Sequence, residues 1–394
     1  MTFIHHVTAT SALGAGLDAQ LQALRHGRSG LKPCDFETAQ LDTWVGEVAG
    51  LDEVVLPADL ASYDCRNHRL ALMGLQADGF EAAARQAIAQ YGAQRVALIL
   101  GTSTSGILSA EQAYRERDAG GALPADFDYN KTHNTGALTA FVRDHLGIQG
   151  PAYTISTACS SSAKAFAAAD RLLQLGLADA AIVGGVDSLC LTTLYGFASL
   201  ELTSHQPCRP CDPERDGLSI GEAAAFALLT READGAIAQL AGWGEASDAH
   251  HMSAPHPDGL GSGNAMRAAL AMAGLEPAAV DYVNLHGTAT PANDASEGGA
   301  VRKLLGTQVP SSSTKGLTGH TLGAAGALEA VIAILCMQHG LVPGSVGTRT
   351  VDAAIGLDIP LQSYDKPQRH VLSNSFGFGG SNCSLLFAKV GEQP

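Results

Sequence analysis

The sequence predicts an α/β fold built from two successive series of strands and helices, and three observations predict it. Short apolar runs at 95–100, 180–184 and 282–285 have the length of strands buried on both faces. Segments with apolar residues at 3- and 4-residue steps, the period of an amphipathic helix, alternate with those runs. Finally, 45 glycines and 5% aromatic residues in a chain of 394 describe a close-packed protein rich in tight turns.

Taken in order, a strand over 4–8 leads to a helix over 17–25 that Gly27 and Gly30 close. Residues 34–64 read as loop with short elements. One amphipathic helix is predicted over 66–88, with Leu70, Met73, Phe80 and Ala84 on one face. Strand 95–100 runs into a Gly/Ser/Thr stretch, and helices follow at 107–117 and 134–145. Tyr153-Thr154-Ile155 is the next strand, and an alanine-rich helix runs on to Leu175. After strand 180–184, where Gly185 permits close backbone passage, residues 200–221 are polar and turn-rich. Arg209, Asp212, Arg215 and Asp216 are suited to lock that loop by ion pairs. Strands 224–229 and 238–242 close the first series. The second holds helix 263–274, strand 282–285, helix 294–305, strand 309–312, a long helix over 320–338, and strands 370–374 and 383–388. The halves are therefore drawn as 1–244 and 245–394, and no low-complexity linker separates them.

A net charge of −15 argues against broad nucleic-acid binding or attachment to an anionic membrane, while a local basic patch can still recruit an acidic partner. Met1 opens no charged-then-apolar signal segment, and the most apolar helix candidate, 322–337, is too short for a bilayer and carries Glu329. A soluble, cytoplasmic protein is expected. The eight cysteines follow no disulfide framework. Cys208-Arg-Pro-Cys211 lacks a second pair to complete a zinc site, so a structured loop and no metal is expected.

Chemistry is signalled first by Thr157-Ala158-Cys159-Ser160-Ser161-Ser162, which reads as strand, tight turn, helix, with the thiol in the first helical turn. There the unpaired N–H groups and the helix dipole favour a thiolate. A free cysteine is more often an inert small hydrophobe, so this one needs partners elsewhere in the chain. His286 follows strand 282–285 at its carboxyl end, where ligand-handling groups collect in open α/β sheets. His320 opens the long apolar helix after the glycine-dense run from Ser313 to Gly319. Glu329 within that helix requires a cation, and Lys315 is the nearest candidate. The stretch from Ser373 to Asn382 fails as a phosphate loop because a strand follows it. It reads instead as a movable flap centred on Phe378, as a backbone N–H donor site, or as a plain turn.

Together these stretches resemble the β-ketoacyl-[acyl carrier protein] synthases, the condensing enzymes of fatty acid and polyketide synthesis, and most of all the elongating type I/II enzymes. Thr-Ala-Cys159-Ser-Ser is similar to the family's nucleophile motif, and His286-Gly-Thr-Ala-Thr-Pro to its first histidine motif. Ser-Thr-Lys315-Gly-Leu-Thr-Gly-His320 resembles its lysine and second histidine motif, Asn374-Ser-Phe376-Gly377-Phe378-Gly379-Gly its gating loop, and 209–217 its arginine-aspartate loop. The resemblance runs in order over nearly the whole chain. It implies a thiolase-like five-layered αβαβα fold of two similar halves, acting as a homodimer or as a heterodimer with a related cysteine-lacking subunit. It implies acyl transfer to Cys159 from the phosphopantetheine of an acyl carrier protein, with no other cofactor, and backbone N–H groups of Cys159 and Phe378 facing the oxyanion. His286 and His320 would act as neutral donors to an enolate, with Lys315, paired to Glu329 and to Asp294, setting their electrostatics. Thr288 and Thr290 would bind the pantetheine arm, and Asp248, His251 and Ser253 lie in a stretch similar to the loop facing Phe376, Gly377 and Gly379. Arg66 and Arg69, one helical turn apart, line up with residues that dock the carrier.

Departures from the family pattern include Lys164, Phe166, the run after Glu222, Cys211 and 126–133, and they point away from ordinary fatty acid elongation towards a secondary pathway such as a polyene or aryl polyene. Two alternatives remain. A thiolase would use a second cysteine as acid and base, and Cys383 lies near the right loop. A chain-length-setting partner subunit would lack the nucleophile that Cys159 supplies.

Overall fold

The computed structural model describes residues 1–391. The first half supplies β1 (Thr2–Ser11), α1 (Leu17–His26), α2 (Arg66–Gln76), α3 (Phe80–Tyr91), β2 (Val96–Gly101), α4 (Ile107–Arg115), α5 (Gly136–Leu146), β3 (Ala152–Ile155), α6 (Ser161–Gln174), β4 (Ala180–Asp187), α7 (Leu191–Ser199) and β5 (Ala223–Thr230). The second supplies β6 (Ala238–Ser247), α8 (Leu260–Ala273), β7 (Tyr282–Asn284), α9 (Pro291–Leu305), β8 (Ser311–Ser312), the short α10 (Lys315–Thr318), α11 (Ala325–His339), β9 (His370–Gly377) and β10 (Ser381–Ala388).

Strands pair in the order β3-β2-β4-β5-β1 in the first half and β8-β7-β9-β10-β6 in the second. Numbered within each half, both orders are 3-2-4-5-1. The pairing senses also match, parallel among the first three strands and antiparallel among the rest. The two sheets meet where β1 pairs antiparallel with β6, Ile4 opposite Ala238. Each half also places its helices alike: α2, α3 and α5 cover the outer face of one sheet, α8 and α9 that of the other, and α6 and α11 fill the space between. Five layers result, the thiolase-like αβαβα fold. β6 begins at Ala238, so a boundary at 244/245 falls inside a strand; the second half starts just before β6.

Composition explains the middle layer. Ala163, Ala165, Ala167 and Ala169 on α6 and Gly326 and Ala330 on α11 are small and buried, so the helices come close. A Cβ at Gly326 would stand 2.5 Å from the backbone nitrogen of Ala163. α11 is apolar all round because it is covered all round.

Three local readings are corrected. The helix expected over 66–88 breaks at Ala77–Gly79, where Asp78 takes φ 55°. Its carboxylate accepts the Leu17 amide at 3.0 Å and the Thr8 hydroxyl at 2.8 Å, so it leaves the helix to cap α1, which Gly16 leaves uncapped. The helix α7 goes unseen in a sequence rich in β-prone residues, and Glu111 supplies its cap by accepting the amides of Leu191 and Thr192. His320 does not open the long helix; it sits in the turn between α10 and α11, its amide donating to the Ser219 carbonyl. In the loop over 208–217 both arginines form ion pairs, Arg215 with Asp352 at 2.7 Å and Arg209 with Glu214 at 3.2 Å, while Asp212 and Asp216 instead accept hydrogen bonds from the Arg349 amide and the Ser204 hydroxyl. Its two cysteines are buried free thiols.

Candidate active site

The turn from β3 into α6 carries Ala158 at φ 52° and Cys159 directly after it, two residues ahead of the helix rather than in its first turn. Ala289 (φ 66°), between Thr288 and Thr290, and Leu322 (φ 52°), two residues past His320, share that sparsely populated conformation. Such strain collects where surrounding structure holds a site in place. The Cys159 sulfur lies 3.0 Å from Nε2 of His320. Burial pushes the thiol up to about 11, while the Lys315 charge and the N–H groups of Phe378 and Cys159 pull it back. Desolvation outweighs the dipole argument, so the resting cysteine is a thiol that needs a base.

His286 projects from the end of β7, its ring 5.2 Å from that of His320 and nearly edge-on at 84°. Both imidazoles are held well below the usual histidine range, first by burial and then by the Lys315 charge, and for His286 also by His320. They are neutral at neutral pH. Nζ of Lys315 lies 3.4 Å from Nδ1 of His286 and is ion-paired with Glu329. Burial raises the Glu329 carboxyl to about 7 against the pull of Lys315. Asp294 does not join this pair: its carboxylate accepts the Cys211 amide at 2.8 Å and faces Arg215.

Ligand-type atoms of Cys159, His286 and His320 all lie within 4.8 Å of one another. A metal cation placed among them would face the Lys315 ammonium, whereas an anionic oxygen would be welcomed by that charge. The set suits stabilisation of negative charge better than metal binding.

Several supports escape a reading of the sequence. Glu297 on α9 accepts the amides of His286 and Gly287, each at 2.8 Å, and is tied to Asn374 of β9 at 3.1 Å. Asp187 at the end of β4 accepts from the Thr102 hydroxyl at 2.7 Å and from the Ala324 amide at 3.2 Å, joining the first half to the turn ahead of α11. Phe197 of α7 packs on the Phe378 ring at 5.6 Å. None of these carries a local motif; each is defined by what folds against it.

A cavity of about 220 Å³ opens over the thiol, lined by Cys159, both histidines, Thr288, Thr290, Ser253, Phe376, Gly377 and Phe378. Phe197, Leu202 and Leu218 form its apolar wall. The hydroxyls of Thr288 and Thr290 are hydrogen-bonded at 2.8 Å. Gly379 lies outside this lining, its amide donating to the Met252 carbonyl at 2.8 Å. His251 is exposed and off the cavity, its Nδ1 accepting the Ser253 amide. Arg66 is not free to dock a partner: its side chain is 8% exposed and bonded to Glu222, Glu47 and Asp52. Arg69 is more open and pairs with Asp64. Cys383 lies in the core on β10, opposite Ser375, away from the cavity, and so gives no second thiol to a thiolase-type mechanism.

With that geometry in hand, comparison with known families is decisive. Residues 6–235 match the family described as Beta-ketoacyl synthase, N-terminal domain, and residues 237–349 match Beta-ketoacyl synthase, C-terminal domain. The chain is a β-ketoacyl synthase. The synthase is 32% identical over 406 residues to 3-oxoacyl-[acyl-carrier-protein] synthase 2 of Synechocystis sp., covering 97% of this chain and 96% of that one. Among solved structures it resembles the ketosynthase ApeO in complex with its chain length factor ApeC from Xenorhabdus doucetiae, with a TM-score of 0.91, 39% identity and 98% of each chain covered. The ishigamide ketosynthase/chain length factor is similar with a TM-score of 0.90, 26% identity and 99% of each chain covered. The synthase is thus an acyltransferase-class condensing enzyme.

Proposed function

We propose that Cys159 accepts an acyl chain from the phosphopantetheine thioester of an acyl carrier protein and passes it to a malonyl unit on a second carrier. The meeting of the Cys159 sulfur with His320 Nε2 at 3.0 Å, beside His286, carries this reading. In the first half-reaction the thiol proton moves to His320, and sulfur attacks the thioester carbonyl. The carbonyl oxygen gains charge against the N–H groups of Cys159 and Phe378, the carbon–sulfur bond to pantetheine breaks, and the proton leaves on the pantetheine thiol. In the second, the malonyl carboxylate departs as CO₂ and its electron pair becomes an enolate. Neutral His286 and His320, kept uncharged by burial and then by the Lys315 charge, donate ring N–H groups to the enolate oxygen. The enolate carbon attacks the acyl carbonyl on Cys159, the thiolate is expelled, and one proton from solvent restores the thiol. The product is a 3-oxoacyl thioester two carbons longer.

Thr288 and Thr290 at the cavity wall suit the amides of a pantetheine arm, and Arg69 is the better placed of the two arginines to meet an acidic carrier. The partner in this reading is a related subunit of the chain-length-factor kind, supported by the complex formed by the 39% identical relative. A homodimer is the competing outcome. The synthase would then serve, in the cytoplasm, a pathway other than housekeeping fatty acid elongation. The test is to incubate the synthase, alone and with a candidate partner subunit, with acyl and malonyl carrier proteins and weigh the protein and products. An acyl adduct on Cys159 that is lost in Cys159→Ala, with CO₂ release and a 3-oxoacyl product, is expected. Decarboxylation with no adduct would rule the reading out.

A further inference from the structure

Lys164 is a cation for which the reaction just described has no use. It stands on α6 five residues after Cys159, with 17% of its side chain exposed. Its Nζ donates to the hydroxyl of Ser381 at 2.7 Å, while its nearest carboxylate, Glu245, is 3.9 Å away and already paired with Arg171. Ser381 is the residue at which the Phe378 loop rejoins β10. Its oxygen also lies 3.3 Å from the Ser160 hydroxyl, whose single hydrogen is shared between Ser381 and the Thr157 carbonyl, 2.9 Å away. Lys164, Ser381, Ser160 and Thr157 thus form one chain of hydrogen bonds that brackets Cys159.

The loop already lies against the thiol turn. A Cβ at Gly377 would stand 3.1 Å from both the Cys159 nitrogen and the Thr157 oxygen. Its far side is held to the 248–252 segment by the Asn382 side-chain amide, which donates to the Asp248 carboxylate at 3.0 Å, and by two neutral backbone bonds, Gly379 to Met252 at 2.8 Å and Asp248 to Gly380 at 2.9 Å. A hydrogen bond from an ammonium is stronger than such neutral ones. We propose that Lys164 is a positioning residue that latches the Ser381 end of the Phe378 loop to the thiol turn, and so keeps the Phe378 N–H aimed at the oxygen where charge develops during acyl transfer. The charge acting on the thiol itself is that of Lys315, so Lys164 works through geometry.

The inference rests on acyl transfer to Cys159, and its test separates the two. The full-length synthase and its variants receive a small acyl thioester without carrier protein, and the rate of Cys159 adduct formation is followed by mass spectrometry over a range of thioester concentrations. An adduct in the unmutated protein supports acyl transfer; its absence would overturn that reading and the latch with it. Lys164→Met and Ser381→Ala are each expected to lower the maximal acylation rate about tenfold with little change in half-saturating concentration. The double variant should be no slower than the slower single one, because both changes cut the same link. Lys164→Arg, which keeps a charged donor, should restore most of the rate. Full-rate acylation in Lys164→Met, or losses that multiply in the double variant, overturns the latch. Should Lys164→Met fail to fold, full-rate acylation in Ser381→Ala overturns it equally.

Discussion

Cys159 keeps its proton in the resting site and His286 and His320 keep theirs off, because burial opposes charge on each. Lys315 and Glu329 are the one ion pair set among them, and Glu329 is the member whose state changes near neutrality. Its carboxyl is raised to about 7, so it takes up a proton as pH falls through that value and its attraction for Lys315 is lost. The rate of CO₂ release from malonyl thioester should therefore decline as pH drops from about 8 to about 6. Glu329→Gln removes one of two groups that burial raises to about 7, the other being Glu297 beneath the His286 turn, so its rate should be low at the upper end and fall less steeply with pH than the wild type. A variant that retains the wild-type slope would assign the transition to another group.

At the scale of elements, two contacts decide. α6 and α11 carry the turns of Cys159 and His320, and at Gly326 the two helices leave no room for a Cβ. Gly326→Ala would drive its methyl into the backbone of Ala163. An overpacked core contact costs about 1–3 kcal/mol, so a lower Tm is expected together with slower acylation as sulfur and imidazole move apart; calorimetry and the adduct assay check both. Arg66 serves Glu222, which is fully buried and also accepts the amides of Val48 and Leu189 at 2.9 Å. Arg66→Ala strands that carboxylate and should cost about 3–5 kcal/mol, read as a lower denaturant midpoint. Arg69→Ala, on an open pair, should change stability by less than about 1 kcal/mol. If it docks the carrier, it should raise KM for carrier-bound substrate alone.

These elements also show what a sequence displays and what it hides. Cys159, His286, Lys315 and His320 were legible because each stands in a short motif at an element boundary. Glu297, Asp187 and Phe197 were not, since a carboxylate that accepts two amides from another element leaves no local spacing to read. Nor does Arg66 look different from Arg69 until Glu222 folds against it. The helix break at Asp78 was hidden for the same reason, because its cause is a cap on α1 formed across the fold. The strands and most helices were legible because periodicity is local, and the boundary between halves was misplaced because nothing in the composition of 238–242 assigns that strand to the second half, where it pairs with β10.

Over the whole molecule, burial of thiols has a collective effect. Cys159 and Cys208 are raised to about 11, and Cys65, Cys190 and Cys336 to about 12, all from a starting value of 9.0 and all chiefly by desolvation. An unfolded chain releases these protons near 9.0, while the folded one keeps them. Their contribution to stability is therefore intact below that value and lost as pH rises through 11 to 12. Melting temperature should fall between about pH 8 and about pH 10, and replacing Cys336, remote from the cavity, with alanine should lessen that fall. A melting temperature unchanged over this range would contradict the assignment.

The repeated 3-2-4-5-1 order has one more result. It stations the nucleophile ahead of the middle helix of one half and its base ahead of the middle helix of the other, so no single half holds both. The 3.0 Å between sulfur and nitrogen is then a gauge of how far apart the two halves stand. A separation of about 1 Å along the sulfur–nitrogen line would stretch that pair to the limit of hydrogen bonding to sulfur and slow proton transfer with every side chain still in its own half.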